Sequence, residues 1–144
     1  MLMNTSENKI IVSALVLADP KKTWDCYTLP EHIVNWNFAS DDWHCPSAKN
    51  DMRIGGIYNA RMEAKDGSFG FNFEATYTEI VPGIKFSYEF GGRIASVHFQ
   101  PSNSNTEVRV EFDPENENSL ELQKKGWQAI LDNFKKYTES SRER

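Results

Sequence analysis

Between residues 57 and 112 the chain alternates apolar and polar positions with a period of two, the pattern of strands that bury one face. Tyr58, Ala60, Met62 and Ala64 share one side, and Asp66-Gly67 is a hairpin signal. Phe71, Phe73, Ala75 and Tyr77 resume the pattern, and Pro82-Gly83 marks the next turn. Ile84, Phe86, Tyr88 and Phe90 follow and end at Gly91-Gly92. Ala95, Val97 and Phe99, a Pro101–Asn105 turn, and Val108, Val110 and Phe112 complete a meander of antiparallel strands. Ahead of it, Ile10–Leu17 reads as a buried first strand. Asp19-Pro20 is an N-cap with proline at the first helical position. The helix it opens carries Trp24 and Tyr27 and ends near Leu29, because Pro30 follows. Pro30 opens a second short helix with Ile33 and Trp36 on one face. Residues 37–56 are irregular, and a stretch of that length implies either function or a concealed strand around 44–52.

The period changes after Pro114. Asn118 and Glu121 read as a capping box. Leu120, Trp127, Ile130, Leu131, Phe134 and Tyr137 then recur at helical spacing over about 20 residues, roughly 30 Å of helix. One long amphipathic helix is available to cover one curved antiparallel sheet, which is an α+β design.

Composition narrows the function. The 144 residues fit one domain over 1–144, with an ordered part of about 7–139. Nine Phe, five Tyr and four Trp are more large flat side chains than a mean hydropathy of −0.61 suggests, so their destination matters. The net charge is −5 and the basic residues are scattered, which argues against nucleic acid or an anionic membrane surface as partner. The apolar run Ile10–Ala18 is too short to span a bilayer. Val16-Leu17-Ala18 imitates a cleavage site, but Glu7 and a lone Lys9 make a poor signal-peptide start. Cys26 and Cys45 form no CxxC and read as reduced thiols of a cytoplasmic protein.

The order of elements resembles the helix-grip fold of the START-like (SRPBCC) superfamily. Within it, the chain resembles the family named after the C-terminal domain of the activator of the heat-shock-protein-90 ATPase. Asp19-Pro20 through Trp24, the Pro30-Glu31…Trp36 helix and Asp51–Gly56 carry the resemblance. So do Tyr58–Met62, Asp66-Gly67, Tyr77–Pro82 and Gly126-Trp127…Ile130-Leu131, spanning nearly the whole chain in order. Asn37 departs from the pattern, which often has an aromatic residue after the helical Trp. Asp41-Asp42-Trp43-His44-Cys45-Pro46 looks like the mark of a bacterial single-domain branch, whose members mostly lack an assigned activity. The resemblance implies a sheet wrapped around the long helix, often with a cavity between them.

Such a cavity is the natural destination of the aromatic surplus. Trp36, Phe38 and Trp43 from the front loop, Phe73, Tyr77, Tyr88 and Phe99 from the sheet, and Trp127 and Leu131 from the helix are the expected lining. The plain alternative for each is packed core. Other chemistry is weaker. Asp42, His44 and Cys45 lie within four positions, but adjacent strand residues point apart, so a Cys–His pair fails on geometry unless the loop turns sharply. His32, His44, Cys26 and Cys45 have no recognised metal-ligand spacing, and His32 and His98 read as surface residues. Arg61, Glu63, Glu74 and Arg109 read as cross-strand charges, and Gly55-Gly56 as a turn rather than a nucleotide loop. The expectation is a non-enzymatic module that binds a small apolar or aromatic ligand, with no cofactor, no metal and no catalytic residue. Two alternatives stand beside it: a co-chaperone-like activator of a heat-shock ATPase, with a chaperone as partner, which the resemblance implies, and an enzyme of the polyketide-cyclase or lyase type.

Overall fold

The computed structural model describes residues 9–141, so residues 7 and 8, where the expected ordered span begins, lie outside the described residues. Seven strands form one antiparallel sheet in the order β1-β7-β6-β5-β4-β3-β2. They are β1 Ile10–Val16, β2 Trp43–Asn50, β3 Ile57–Ala64, β4 Gly70–Val81, β5 Lys85–Phe90, β6 Arg93–Ser102 and β7 Asn105–Phe112. Two short helices, α1 Pro20–Thr28 and α2 Pro30–Ile33, follow β1, and α3 Leu120–Ser140 closes the chain. This is the helix-grip arrangement.

Local chemistry sets most boundaries. Asp19 caps α1 by accepting from the Lys22 amide at 2.7 Å, with Pro20 beginning the helix. Gly91 and Gly92 both hold positive φ (58° and 81°), as a two-residue turn between β5 and β6 demands. At Gly56 a Cβ would lie 2.1 Å from the Asp51 carbonyl oxygen, so only glycine lets the chain enter β3 there. The concealed strand is β2. Its alternation is hidden by a register shift between His44 and Ser47, next to Pro46.

The inner face matches the alternation at most positions: Tyr58, Ala60, Met62, Ala75, Tyr77, Phe86, Tyr88, Phe90, Ala95, Val97, Phe99, Val108, Val110 and Phe112 are all buried. Three positions of the sheet and the last helix differ, and so does the cap of that helix. Ile84 sits in the β4–β5 turn and is exposed, so β5 begins one residue later. Ser87, on the polar side, is buried, its hydroxyl 2.7 Å from that of Ser96. Leu120 lies in the first turn of α3, before the helix reaches the sheet, and is exposed. The cap of α3 is Ser119, whose hydroxyl accepts from the Leu122 amide at 3.1 Å. Asn118 instead donates its side-chain amide to Glu115, so the cap falls one residue later than expected and Leu122 stands where the expected capping box needs a carboxylate.

Helix α3 also covers the free edge of β1. Gln128 and Lys135 donate to the Ser13 and Leu15 carbonyls at 3.0 and 2.8 Å, and Glu139 accepts from the Leu17 amide at 2.8 Å. These side chains occupy backbone groups that an open edge strand would offer to another chain. Among the described residues, no helix is long and apolar enough to cross a membrane.

Candidate functional site

Between the inner face of the sheet and α3 lies a cavity of about 360 Å³. Strands β3 and β4 contribute Tyr58, Met62, Phe71 and Phe73, and β5 to β7 contribute Tyr88, Phe90, Arg93 and Val110. Helix α3 closes it with Trp127, Ile130 and Leu131, and Tyr27, Trp36 and Asn37 form the end wall. Each strand residue is there because it shares the inward parity of its strand, and each α3 residue because it lies on the apolar stripe. Trp127 stacks on Phe112 at a centroid distance of 3.8 Å and 11°, approaches Phe90 at 6.0 Å, and lines the void. Phe71 is 41% exposed while lining the cavity, which places an opening at the β3–β4 hairpin.

Five of the nine expected lining residues meet here: Trp36, Phe73, Tyr88, Trp127 and Leu131. The other four lie elsewhere. Tyr77 and Phe99 are filled core, at 1% and 2% exposure. Tyr77 packs between Phe86 and Tyr88 and donates to Asn50 at 2.7 Å, and Phe99 is covered by Trp24 and Tyr27. Trp43 stands at the sheet edge against Phe69 and Phe71. Phe38 lines a shallow depression with Asp132, Asn133 and Lys136. Arg93 escaped the sequence reading, although the period-two run Ala95, Val97, Phe99 extends back to it. Tyr27 and Asn37 carry no such signal, because their positions depend on how α1 and the α2 exit pack on the sheet.

The polar groups of the cavity are distinctive. Asn37 is buried and donates to the Tyr58 hydroxyl oxygen at 3.0 Å. Burial pushes the phenols of Tyr27, Tyr58 and Tyr88 well above the ordinary value, and for Tyr27 and Tyr58 the neighbouring tyrosines push further. All three are therefore neutral hydrogen-bonding groups. Arg93 donates through Nε to the Asp113 carbonyl at 3.1 Å, and its guanidinium lies 4.7 Å from the Phe90 ring centroid.

The Asp42–His44–Cys45 segment makes no catalytic arrangement. Asp42 accepts from Ser40, while His44 faces Glu63 across the β2–β3 pair at 3.7 Å. The Cys45 thiol is buried, donates to the Ser47 carbonyl, and is raised by burial to about 11, far from a reactive thiolate. His32, expected at the surface, is buried instead, with Nδ1 2.5 Å from the Tyr137 hydroxyl. It faces inward because its ring meets that of Tyr137 on α3, 5.7 Å away by centroid. His98 is half-buried, and burial, then Arg109, hold it below its ordinary value. Arg61 and Arg109 pair with Glu63 and Glu111 along their own strands at 2.8 and 3.0 Å, and Glu74 accepts from Asn59 at 2.6 Å. Both cysteines are buried thiols, and among the described residues no three His, Cys, Asp or Glu side chains are grouped to hold a metal ion.

Residues 17–139 match the family model described as Activator of Hsp90 ATPase homolog 1-like protein. The chain belongs to this family. The solution structure of an AHSA1-like protein from Aeromonas hydrophila is 35% identical, covers 94% of this chain and 97% of its own, and superposes with a TM-score of 0.87. A protein from Cytophaga hutchinsonii is 42% identical, with 92% of each chain covered and a TM-score of 0.79. A Chromobacterium violaceum protein, at 22% identity, 93% and 99% coverage and a TM-score of 0.81, shares the fold. No curated protein matches the sequence. Membership in the AHSA1-like family accounts for the wrapped sheet and the long helix. The character of the cavity comes from this chain's own residues.

Proposed function

We propose that this protein is a non-enzymatic binding module that buries a small apolar or aromatic molecule between the sheet and α3. The observation that carries the reading is the cavity of about 360 Å³, a size within the usual range of ligand sites and walled chiefly by aromatic and aliphatic side chains. Family membership supports it in general terms. Arginine does not exchange protons near neutral pH, so Arg93 offers binding rather than acid–base chemistry, in keeping with a carrier or sensor.

The test is an amide-shift titration of the purified protein with a flavonoid, a fatty acid and a sterol. At least one should shift amides at 36–37, 58–62, 88–93 and 127–131 together. Val110→Phe, which pushes a ring into the cavity from a position only 3% exposed, should abolish those shifts while the far-UV spectrum is retained. Silence across all three ligands, or shifts confined to the outer face of the sheet, would overturn the reading.

A further inference from the structure

We propose that the cavity recognises a flat aromatic molecule carrying a neutral carbonyl oxygen for its tyrosine cluster and, one ring away, an anionic group for Arg93. This rests on the binding reading above and adds the ligand's polar pattern to it. Tyr27 and Tyr88 both line the cavity, and among the described residues no hydrogen bond engages either hydroxyl. Tyr58 already accepts from Asn37, so its own proton is left to donate. Neutral O–H donors at an apolar wall leave hydrogen-bonding capacity that costs free energy if unmet. A carbonyl oxygen has two lone pairs and takes two such donors at once.

Arg93 supplies the other end. Its Nε is used by the Asp113 carbonyl, while the terminal amino groups have no partner among the described residues. The nearby carboxylates of Asp113 and Glu115 share the field of Arg93 but make their hydrogen bonds elsewhere. Asp113 pairs with Lys9 at 2.9 Å and accepts from the Ile94 amide at 2.8 Å, and Glu115 accepts from Asn118 and the Glu117 amide. A guanidinium with a free edge on the wall of an aromatic slot fits a carboxylate or sulfonate in two-pronged fashion. Spacing follows from the register. Phe90 pairs with Arg93, and Tyr88 is the next inward residue on β5, about 7 Å away along the strand. One aromatic ring spans that interval.

The experiment compares four matched probes by titration calorimetry and amide shifts. They are 4-benzoylbenzoate, its methyl ester, 4-benzylbenzoate, which lacks the ketone, and diphenylmethane, which lacks both polar groups. The first should bind most tightly. Arg93→Met should weaken the two carboxylates about tenfold and leave the ester unchanged, with Arg93→Lys recovering part of the loss. Tyr88→Phe, which keeps the ring, should weaken the two ketones about fivefold and leave 4-benzylbenzoate unchanged. Equal binding of all four, or variants indifferent to the probe, overturns the polar pattern while the apolar cavity stands. No binding by any probe, diphenylmethane included, overturns both.

Discussion

The sheet presents the same inward alternation at both ends of its grip on α3, yet one end is solid and the other hollow. At the solid end Phe86, Phe99 and Phe134 are exposed by 2% or less. There Trp24 and Tyr27 of α1 wedge between sheet and helix, with Tyr27 4.8 Å from Phe134 and Trp24 5.0 Å from Phe99 by ring centroid. At the hollow end Phe73 and Tyr88 line a void together with Ile130 and Leu131, and only Phe90 reaches Trp127, at 6.0 Å by ring centroid. Both ends are equally aromatic. What separates them is the third layer: α1 reaches over one half of the concave face and not the other. An inward-facing ring is core or cavity wall according to what stands opposite it.

The largest expected effect acts on both ends through the tyrosines. Tyr27, Tyr58, Tyr77 and Tyr88 are all raised, chiefly by burial. Below about pH 10 folded and unfolded chains are both protonated, and above it the unfolded chain releases phenol protons that the folded chain retains. Stability should therefore fall as pH rises beyond about 10, by up to about 1.4 kcal/mol per pH unit for each such group. Urea midpoints measured from pH 8 to 11 check this, and a flat profile would show that the phenols titrate freely in the folded state.

The comparison is broken most directly by paired truncations. Phe134→Ala, at the solid end and fully buried, should cost about 3–5 kcal/mol in urea unfolding. Trp127→Ala removes a larger side chain, but one already facing the void on one side, and should cost only about 2 kcal/mol. Equal losses would mean that the hollow end is as tightly packed as the solid one.

Smaller effects sharpen the boundaries. Ser119→Ala removes the α3 cap and should cost about 1 kcal/mol, and Asn118→Ala clearly less. The reverse order would return the cap to Asn118. Cys45 should alkylate with iodoacetamide at pH 8 far more slowly in the folded protein than in urea, because its raised thiol is almost wholly protonated there. Mass mapping of the modified peptide provides the readout.

Some of this was legible in the chain itself, and particular residues show why. Asp19-Pro20, Gly91-Gly92 and the period-two runs specify elements through short-range sterics and hydrogen bonding, so β3 to β7 and α1 follow from local pattern. Arg93 shares the inward parity of Ala95, Val97 and Phe99, but period two alone does not mark a charged residue beside a glycine turn as cavity lining. Strand β2 was obscured because its register shift next to Pro46 interrupts the alternation. The inward turn of His32 and the contact of Asn37 with Tyr58 join residues 105 and 21 positions apart, a separation that no local pattern encodes.

The sequence by itself determined the order of elements, the apolar face of each strand and the stripe of the last helix. These depend on backbone geometry repeated every two or 3.6 residues. The tertiary structure alone decided which rings are sealed and which surround a void, and that an arginine and three neutral phenols share that void. Those facts depend on the distance between opposed layers, which arises only when the sheet curls around α3 and α1 fills one half of the groove.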